Sequence, residues 1–388
     1  MGGQGPRVLA RTKPIAPSKL GAFKLCPLRY LLETERPPTP CLPVGILALR
    51  GTAVHHAIEK FAGLKEASGV AVKGAILDYV HKSLARMGSP PLMRLAYEAV
   101  GASGLLSPSE VVKHSQFALK MIQASPPVVP RTMHAGPIDG VATTTAAVLG
   151  PEKWFESGKL GMAGKIDSTF RASDGGVHVV DYKTGGVLAE DGSPKEEYLL
   201  QVAAYGVMVR HATGALDIRL RLVGPSSSWD GCLDAGMESL VETIATELQA
   251  TIPIGKAVET RGLATLGQHC SSCSYRPSCG PYNELLLRRL GNETSDAFSP
   301  LDLAGIIDTV SVGTTATSVR VTATSGGAAA ITGLPNCFYP RLDPGAAIIG
   351  YGLGCQEVRM QSRRPSNFFV YRADEPRLSA FGSLIVVG

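Results

Sequence analysis

The stretch Gly164-Lys-Ile-Asp-Ser-Thr-Phe-Arg-Ala-Ser-Asp-Gly-Gly-Val-His-Val-Val-Asp-Tyr-Lys-Thr-Gly185 constrains this chain more than any other. Two β-rich runs flank Asp174, Gly175 and Gly176, which supply the positive φ angles that a tight hairpin needs. Side chains alternate faces along a strand, so Val177, Val179, Asp181 and Lys183 share one side. An acid and a lysine at the end of an apolar strand are costly to bury without partners. A three-residue Asp-Gly-Gly loop puts Asp167 opposite Lys183 and diagonal to Asp181, whereas a loop one residue different turns Asp167 to the other face. In the first register two carboxylates converge into a hard-oxygen site suited to Mg²⁺ or Mn²⁺. Lys183 stands beside them, able to orient or help deprotonate a water, which is the equipment for metal-assisted phosphodiester hydrolysis. The competing reading is a surface hairpin with an ordinary Asp/Lys ion pair, and the rest of the chain must decide.

The chain has 388 residues, long enough for one large domain plus a smaller one. With 44% hydrophobic and 18% charged residues it reads as globular, and no stretch has the length and apolarity of a membrane span. The opening residues lack the apolar core of a secretory signal, so the expectation is a cytoplasmic protein with no membrane partner. Eight cysteines, three of them clustered, suggest metal ligation rather than a disulfide framework. The net charge of +5 is unevenly spread. Arg7, Arg11, Lys13, Lys19, Lys24, Arg29, Arg36 and Arg50 face only Glu33 and Glu35 in the first fifty residues. Such a basic lead-in fits a polyanion, although a solvated face explains it nearly as well.

Taken in order, residues 1–17 read as a flexible basic N-terminus. A helix capped by Ser18 is expected to run through Leu20, Phe23 and Leu25 to Leu31 and Leu32. After a loop from Pro37 to Pro43, Arg50 to Phe61 reads as an amphipathic helix with Val54, Ile58 and Phe61 on its apolar stripe and His55 on the adjoining face. His56 reads as incidental. About 66–160 looks like a helical insertion, with helices at Val70–Met87 and Leu92–Val100. A third follows Ser107-Pro-Ser-Glu110, a capping box with proline in the first turn, and the Pro-rich run Ser125 to Pro130 ends it. Trp154 and Phe155 are expected to lead into the first hairpin strand. Ser193-Pro-Lys-Glu196 reads as another capping box, opening a helix that Gly214 terminates. Gln201 and Tyr205 stand at i, i+4 on one face of it. Leu216, Ile218, Leu220 and Leu222 alternate with polar residues as a half-buried strand, and a helix follows near Ala235–Ala250. The sum is an α/β domain around a mixed sheet.

His269-Cys270-Ser-Ser-Cys273-Ser-Tyr-Arg-Pro-Ser-Cys279 supplies C-x₂-C-x₅-C, as in many zinc and iron–sulfur sites. Three local cysteines need a fourth ligand, and His269 would serve for Zn²⁺. Cys26, taken alone, reads as a buried apolar filler. Cys41, Cys232, Cys337 and Cys355 read as ordinary thiols. Beyond the helical run Tyr282–Leu290, residues 296–388 turn β-rich, which suggests a small antiparallel barrel or sandwich, possibly OB-like. Tyr351, Arg359, Arg363, Arg364, Phe368, Phe369, Tyr371 and Arg372 interleave aromatics with arginines there. That pattern suits stacking on unpaired bases; core aromatics with solubilising arginines are the equal alternative.

Five segments in order resemble the PD-(D/E)xK nuclease superfamily in its RecB-like branch. Ser18-Lys-Leu20 with Cys26-Pro-Leu-Arg-Tyr30 resembles that branch's S-x-L…C-P-x-[RK]-[FY] opening. Gly51-Thr-Ala-Val-His55, with Glu59 four residues on, resembles its His motif. Gly164-Lys-Ile-Asp167 followed by Asp181-Tyr182-Lys183-Thr-Gly resembles G-x-I-D…D-Y-K-T-G. Gln201 and Tyr205 match Q-x-x-x-Y, and the three clustered cysteines match C-x₂-C-x₅-C. All five are similar to the iron–sulfur members, the AddB nuclease domain and the CRISPR-associated RecB-like exonucleases. The resemblance implies a restriction-endonuclease-like sheet flanked by helices over residues 18–290. It implies Mg²⁺ or Mn²⁺ held by His55, Asp167, Asp181 and the Tyr182 carbonyl, Lys183 positioning the water, and Gln201 and Tyr205 aligning the DNA strand. It further implies that Cys26 joins Cys270, Cys273 and Cys279 around a 4Fe–4S cluster. The function implied is a metal-dependent DNA nuclease, an exonuclease on single strands or ends, working in repair, recombination, or phage- or CRISPR-type DNA processing. No Walker A pattern occurs, so a helicase motor, or a CRISPR or recombination partner, would be a separate subunit. The alternative is a non-catalytic iron–sulfur subunit that binds DNA ends within a helicase–nuclease complex.

Overall fold

The computed structural model describes residues 8–37, 42, 46–61, 67–86, 107–124, 149–288, 302–322, 328–336, 342–351, 353–359, 367–372 and 384–387. Strand β1 (Val8–Ala10) leads to a 3-10 turn at Pro17–Lys19 and to helices α1 (Leu20–Leu25), α2 (Pro27–Glu35), α3 (Ile46–Phe61), α4 (Gly69–Arg86) and α5 (Pro108–Ala124). The central part follows: β2 (Pro151–Ser157), β3 (Met162–Arg171), β4 (Val177–Tyr182), α6 (Glu196–Thr213), β5 (Ile218–Val223), β6 (Ser228–Cys232), α7 (Ala235–Thr251) and β7 (Ala257–Glu259). Short 3-10 turns carry the clustered cysteines to α8 (Gly280–Arg288). The chain then runs through β8 (Leu303–Val312), β9 (Ala316–Thr322), β10 (Ala328–Pro335), β11 (Ala347–Tyr351), β12 (Gly354–Arg359), β13 (Asn367–Arg372) and β14 (Leu384–Val387).

The central sheet has the order β2-β3-β4-β5-β6. Strand β4 is its middle member, antiparallel to β3 and parallel to β5. A parallel partner requires a crossover, which α6 supplies. Two-sided cover explains why β4 reads Val-His-Val-Val-Asp-Tyr rather than as strict alternation. Val177 and Val179 enter one core, built with α1, α6 and α7, while Val180 and Tyr182 enter a second built with α3, α4 and α5. Each of these valines removed from water contributes on the order of 1.5–3 kcal/mol. The architecture is therefore mixed α/β with a five-stranded mixed sheet between helical layers. A second, all-β sheet has the order β12-β13-β10-β9-β8-β11-β14 and packs its core onto α8 and Cys270.

Several expectations hold. The stripe of Val54, Ile58 and Phe61 faces the second core. The Ser107 capping box closes reciprocally, with Glu110 N donating to Ser107 Oγ and Ser107 N to the Glu110 carboxylate, both at 3.2 Å. Gly214 ends α6 at φ 68°.

Others are corrected. Residues 8–17 are tied down, because β1 pairs with β7 and Ile15 exchanges backbone hydrogen bonds with Gly161 and Ala163. The single helix expected from Ser18 breaks at Cys26, which is extended (φ −162°, ψ 108°) because Pro27 disfavours helical geometry in the residue before it. Ser193 is not a helix cap. It hydrogen-bonds Asp191, and α6 starts with Lys195 at its N-cap and no side-chain cap bond. Trp154 and Phe155 form a strand of their own, and Leu216 lies exposed before β5. The hairpin loop has five residues, Ala172 to Gly176, since Arg171 pairs with Val177. This register shift of two keeps Asp167 on its expected face but brings it level with Asp181 instead of Lys183. The C-terminal part is all-β and barrel-like as expected, a mostly antiparallel seven-stranded sheet, and only the OB likeness is corrected, since the sheet has seven strands and a parallel β10–β13 pair where an OB barrel has five. Tyr351 is core, 1% exposed with its hydroxyl on Asn283, so it offers no stacking surface. Arg363, Arg364, Cys41, Cys337, the helix expected at Leu92–Val100 and the run Ser125 to Pro130 lie outside the described residues, as do the side chains of Arg359, Phe368, Phe369, Tyr371, Arg372 and Cys355.

Candidate active site and cysteine pocket

The C-terminal end of β4 carries a carboxylate into the interior. Asp181 is 2% exposed. Its Oδ1 accepts a hydrogen bond from Gln201 Nε2 at 2.9 Å. The Lys183 ammonium lies 2.7 Å from the buried Oδ2 as an ion pair. Lys183 Nζ also donates to Gln201 Oε1 at 2.8 Å and sits 4.8 Å above the Tyr198 ring. Gln201 thus holds the acid and the base of the Asp-x-Lys pair with opposite ends of one amide. The i, i+4 spacing places Tyr205 one turn further along α6, 6% exposed.

Asp167 arrives from β3. Its Oδ2 accepts the backbone N–H of Tyr182 at 2.7 Å, and its Oδ1 lies 3.5 Å from His55 Nδ1. Two glycines permit these approaches. A Cβ on Gly51 would stand 3.1 Å from Thr184 Oγ1, so α3 comes close to the end of the Asp-Tyr-Lys-Thr segment. A Cβ on Gly164 would meet Pro17 Cδ at 3.1 Å and Tyr205 Cε1 at 3.2 Å, so the Tyr205 ring can lie over β3. His56, one residue from His55, packs instead beside Tyr79.

The two carboxyls titrate in opposite directions. Burial pushes Asp181 up to about 6, with Lys183 opposing and Asp167 adding to the rise. Burial also works against ionised Asp167, but the His55 charge, its hydrogen bond and the Tyr182 N–H hold that group below the usual range. His55 is raised in turn: burial opposes its charge and Asp167 overcomes it. Burial, reinforced by Asp181 and Asp167, raises the Tyr205 phenol.

All six residues that the sequence singled out, His55, Asp167, Asp181, Lys183, Gln201 and Tyr205, therefore meet at one place. Two neighbours were missed. Tyr198 precedes Gln201 by three residues, so helical periodicity would have put it on the same face. Glu152, in β2, joins His55 and Asp167 in a group whose potential ligand atoms lie within 4.8 Å of one another. Its left-handed backbone (φ 51°) has no signature in Pro-Glu-Lys-Trp.

The cysteines form a second centre. Cys26 is the N-cap of α2, and Pro27 at the first helical position is pre-set for the helix. The Cys26 sulfur accepts the Thr265 N–H at 3.5 Å. Cys26, Cys270, Cys273 and Cys279 line one pocket together with Arg29, His269 and Arg276. Burial raises the Cys270 and Cys273 thiols and pushes Cys279 up to about 12, while Arg29 and Arg276 pull the first two back. Arg276 binds the carbonyls of the cysteine turns, including that of Cys270, which also accepts the Cys273 N–H. Its Nη1 donates to the carbonyls of Cys270 (3.2 Å), Ser271 (2.7 Å) and Cys273 (2.9 Å). Its Nε and Nη2 grip Asp302 at 2.7 and 3.3 Å, and Tyr282 donates its hydroxyl to the same carboxylate at 2.6 Å. Sequence reasoning found neither Arg276 nor Asp302, which no local spacing links.

A family model described as the PD-(D/E)XK nuclease superfamily matches residues 14–280. The chain belongs to that superfamily, whose members are typically phosphodiesterase nucleases that use Mg²⁺ or Mn²⁺. Among solved structures, one described as "Crystal structure of SSO0001" is similar at 14% identity and TM-score 0.26, over 60% of this chain and 98% of that one. No curated protein matches. No helix among the described residues is long and apolar enough to cross a membrane.

Two measurements follow from these geometries. Arg276→Met removes the buried cation beside Asp302, leaving that carboxylate with the Tyr282 hydroxyl, and should cost about 3–5 kcal/mol in urea unfolding, with the Arg276→Met/Asp302→Leu double variant recovering part of it. A single-variant loss under 1 kcal/mol contradicts the assignment. For Asp181, the folded pKa lies above the unfolded value near 3.8. The native state therefore binds the extra proton, and stability falls as pH rises between about 4 and 6. In EDTA, Asp181→Asn should gain stability relative to the parent protein across that window. A difference that stays flat with pH contradicts the burial of a charged Asp181.

Proposed function

We propose that this protein is a divalent-metal-dependent DNA nuclease of the RecB-like kind, acting as an exonuclease on single strands or ends. The observation that carries this reading is the convergence of His55, Asp167, Asp181 and Lys183, from three different elements, with His55 beside Asp167 and Lys183 paired to the buried Asp181. Carboxylates with one imidazole suit Mg²⁺ or Mn²⁺ in donor chemistry. His55, Asp167, Asp181 and the Tyr182 carbonyl would hold the ion. When bound, such an ion supplies charge stabilisation at the phosphoryl oxygens and lowers the pKa of water.

The chain's own groups do the rest. Asp167 is kept ionised by His55 and the Tyr182 N–H, so it is ready to take a cation at neutral pH. Gln201 fixes Lys183 Nζ beside Asp181, where the ammonium meets the charge that develops on the phosphate and orders the attacking water. Tyr198 lies against the same ammonium. Tyr205, buried over Gly164, acts by positioning the strand beneath it more than by touching DNA. A purely structural, end-binding subunit has no need of this acid–base–amide network, which favours catalysis over that alternative.

The pocket supports a 4Fe–4S cluster held by Cys26, Cys270, Cys273 and Cys279. His269 gives its Nε2 to the Thr265 carbonyl at 2.9 Å, which weakens its claim as a zinc ligand. The cluster's part would be to fasten α2 to the cysteine turns, with Arg29 and Arg276 offsetting thiolate charge.

The deciding experiment incubates anaerobically purified protein with end-labelled single- and double-stranded DNA in Mg²⁺, Mn²⁺ or EDTA. Cleavage should require the ion and disappear in Asp167→Asn, Asp181→Asn and Lys183→Ala, each still folded by circular dichroism. Cleavage in EDTA, or by Asp181→Asn, sinks the mechanism. A separate measurement addresses the cysteines. The protein should be brown with broad absorption near ~400 nm, and Cys26→Ser should lose colour and thermal stability, whereas Asp181→Asn should keep the colour. A colourless protein carrying zinc moves the assignment to zinc.

A further inference from the structure

We infer that Glu152 is a ligand of the catalytic cation, a carboxylate that no sequence motif marks. The inference rests on the reading that a divalent ion sits between His55 and Asp167.

In the β2–β3 ladder Pro151 pairs with Ser168 and Lys153 with Ile166, so Glu152 stands level with Asp167. At Glu152 the backbone turns left-handed (φ 51°), a conformation that costs a non-glycine residue about 1 kcal/mol or more. There the Glu152 carboxylate comes together with His55 Nδ1 and the Asp167 carboxylate, all within 4.8 Å. Asp181 does not belong to that trio, since its oxygens face Gln201 and Lys183. The three side chains whose potential ligand atoms already lie close together are thus His55, Glu152 and Asp167.

Charge points the same way. Two carboxylates this close, 11% and 13% exposed, repel each other. The Lys165 ammonium lies 2.9 Å from Oε2 of Glu152 and is shared with Glu59 at the same distance. Around the site the carboxylates of Glu59, Glu152, Asp167 and Asp181 outnumber the ammonium groups of Lys165 and Lys183, with His55 a further cation only when protonated. With Glu152 included, the donors are three carboxylates and one imidazole, a set that favours Mn²⁺ and Mg²⁺ over softer ions. Lys165 then becomes a positioning residue, holding Glu152 through one oxygen while the other faces the ion.

The test is Mn²⁺ binding, read by electron paramagnetic resonance of the free ion, on the full-length protein without DNA. The parent protein should bind Mn²⁺ and Asp167→Asn should not. Glu152→Gln should weaken binding by at least about tenfold, since even losses outside the first ligand sphere cost 10–100-fold. Glu59→Gln, which touches only Lys165, should stay within about threefold of the parent. If the parent protein binds no Mn²⁺, or Asp167→Asn binds normally, the metal reading itself fails. If Asp167→Asn loses the ion but Glu152→Gln keeps full affinity, only the Glu152 assignment fails. Equal losses in Glu59→Gln and Glu152→Gln would show an effect through Lys165 charge and also overturn it. Should Glu152→Gln not fold, Glu152→Asp keeps the charge but withdraws the oxygen by one methylene, and unchanged affinity in that variant overturns the assignment.

Discussion

A carboxylate buried at the end of the central strand is the constraint around which this domain is arranged. An isolated ion at a position like Asp181 would cost several kcal/mol or simply take up a proton. Lys183 and Gln201 share the task of holding it. Strand parity brings Lys183 to the correct face at no further cost, because it is two residues on. Gln201 comes from elsewhere, and it reaches the site only because β4 and β5 are parallel and α6 must cross back over the sheet between them. Partial compensation leaves Asp181 titrating near 6, while Asp167, with a histidine and a backbone N–H, stays ionised. Two acids of the same type thus differ by environment alone.

A second constraint ties the ends of the chain together. The buried Arg276 guanidinium donates to three carbonyls of the cysteine turns, those of Cys270, Ser271 and Cys273. That charge in turn requires Asp302, which stands at the threshold of the C-terminal sheet. The apolar contacts follow the same route, since Cys270, Tyr282 and Leu286 share a core with β8, β9 and β11. On the other side, Cys26, Leu28 and Leu32 pack against Leu263, Tyr275 and Cys279. The cysteine pocket is therefore the joint between the first helices, the nuclease domain and the β-rich part, whatever it holds.

Much of this was legible in the chain. The six site residues could be named because strand parity and helical i, i+4 spacing are local rules, and the site uses both. The Ser107 capping box and the Gly214 stop were read for the same reason. Misreadings fell where a local signal had a competitor. Ser193 has the spacing of a cap, but Asp191 captured its hydroxyl and N–H first. Ser18 opens a helical pattern, but Pro27 breaks it at Cys26 and so turns that cysteine toward the pocket. The hairpin loop was counted from its glycines alone, and the two-residue error preserved the face while misplacing the partner.

The sequence by itself determined the identity and sidedness of the groups that converge, because periods of 2 and 3.6 residues are set by covalent geometry and read without the fold. It also determined the superfamily, through motifs whose spacing those periods dictate. Only the tertiary structure decided which groups stand opposite one another. Asp167 meets Asp181 through a five-residue loop, Glu152 reaches the site through a left-handed residue, and Arg276 finds Asp302 across twenty-six positions. These are contacts between elements, fixed by register, twist and packing, and a linear string carries no local trace of them.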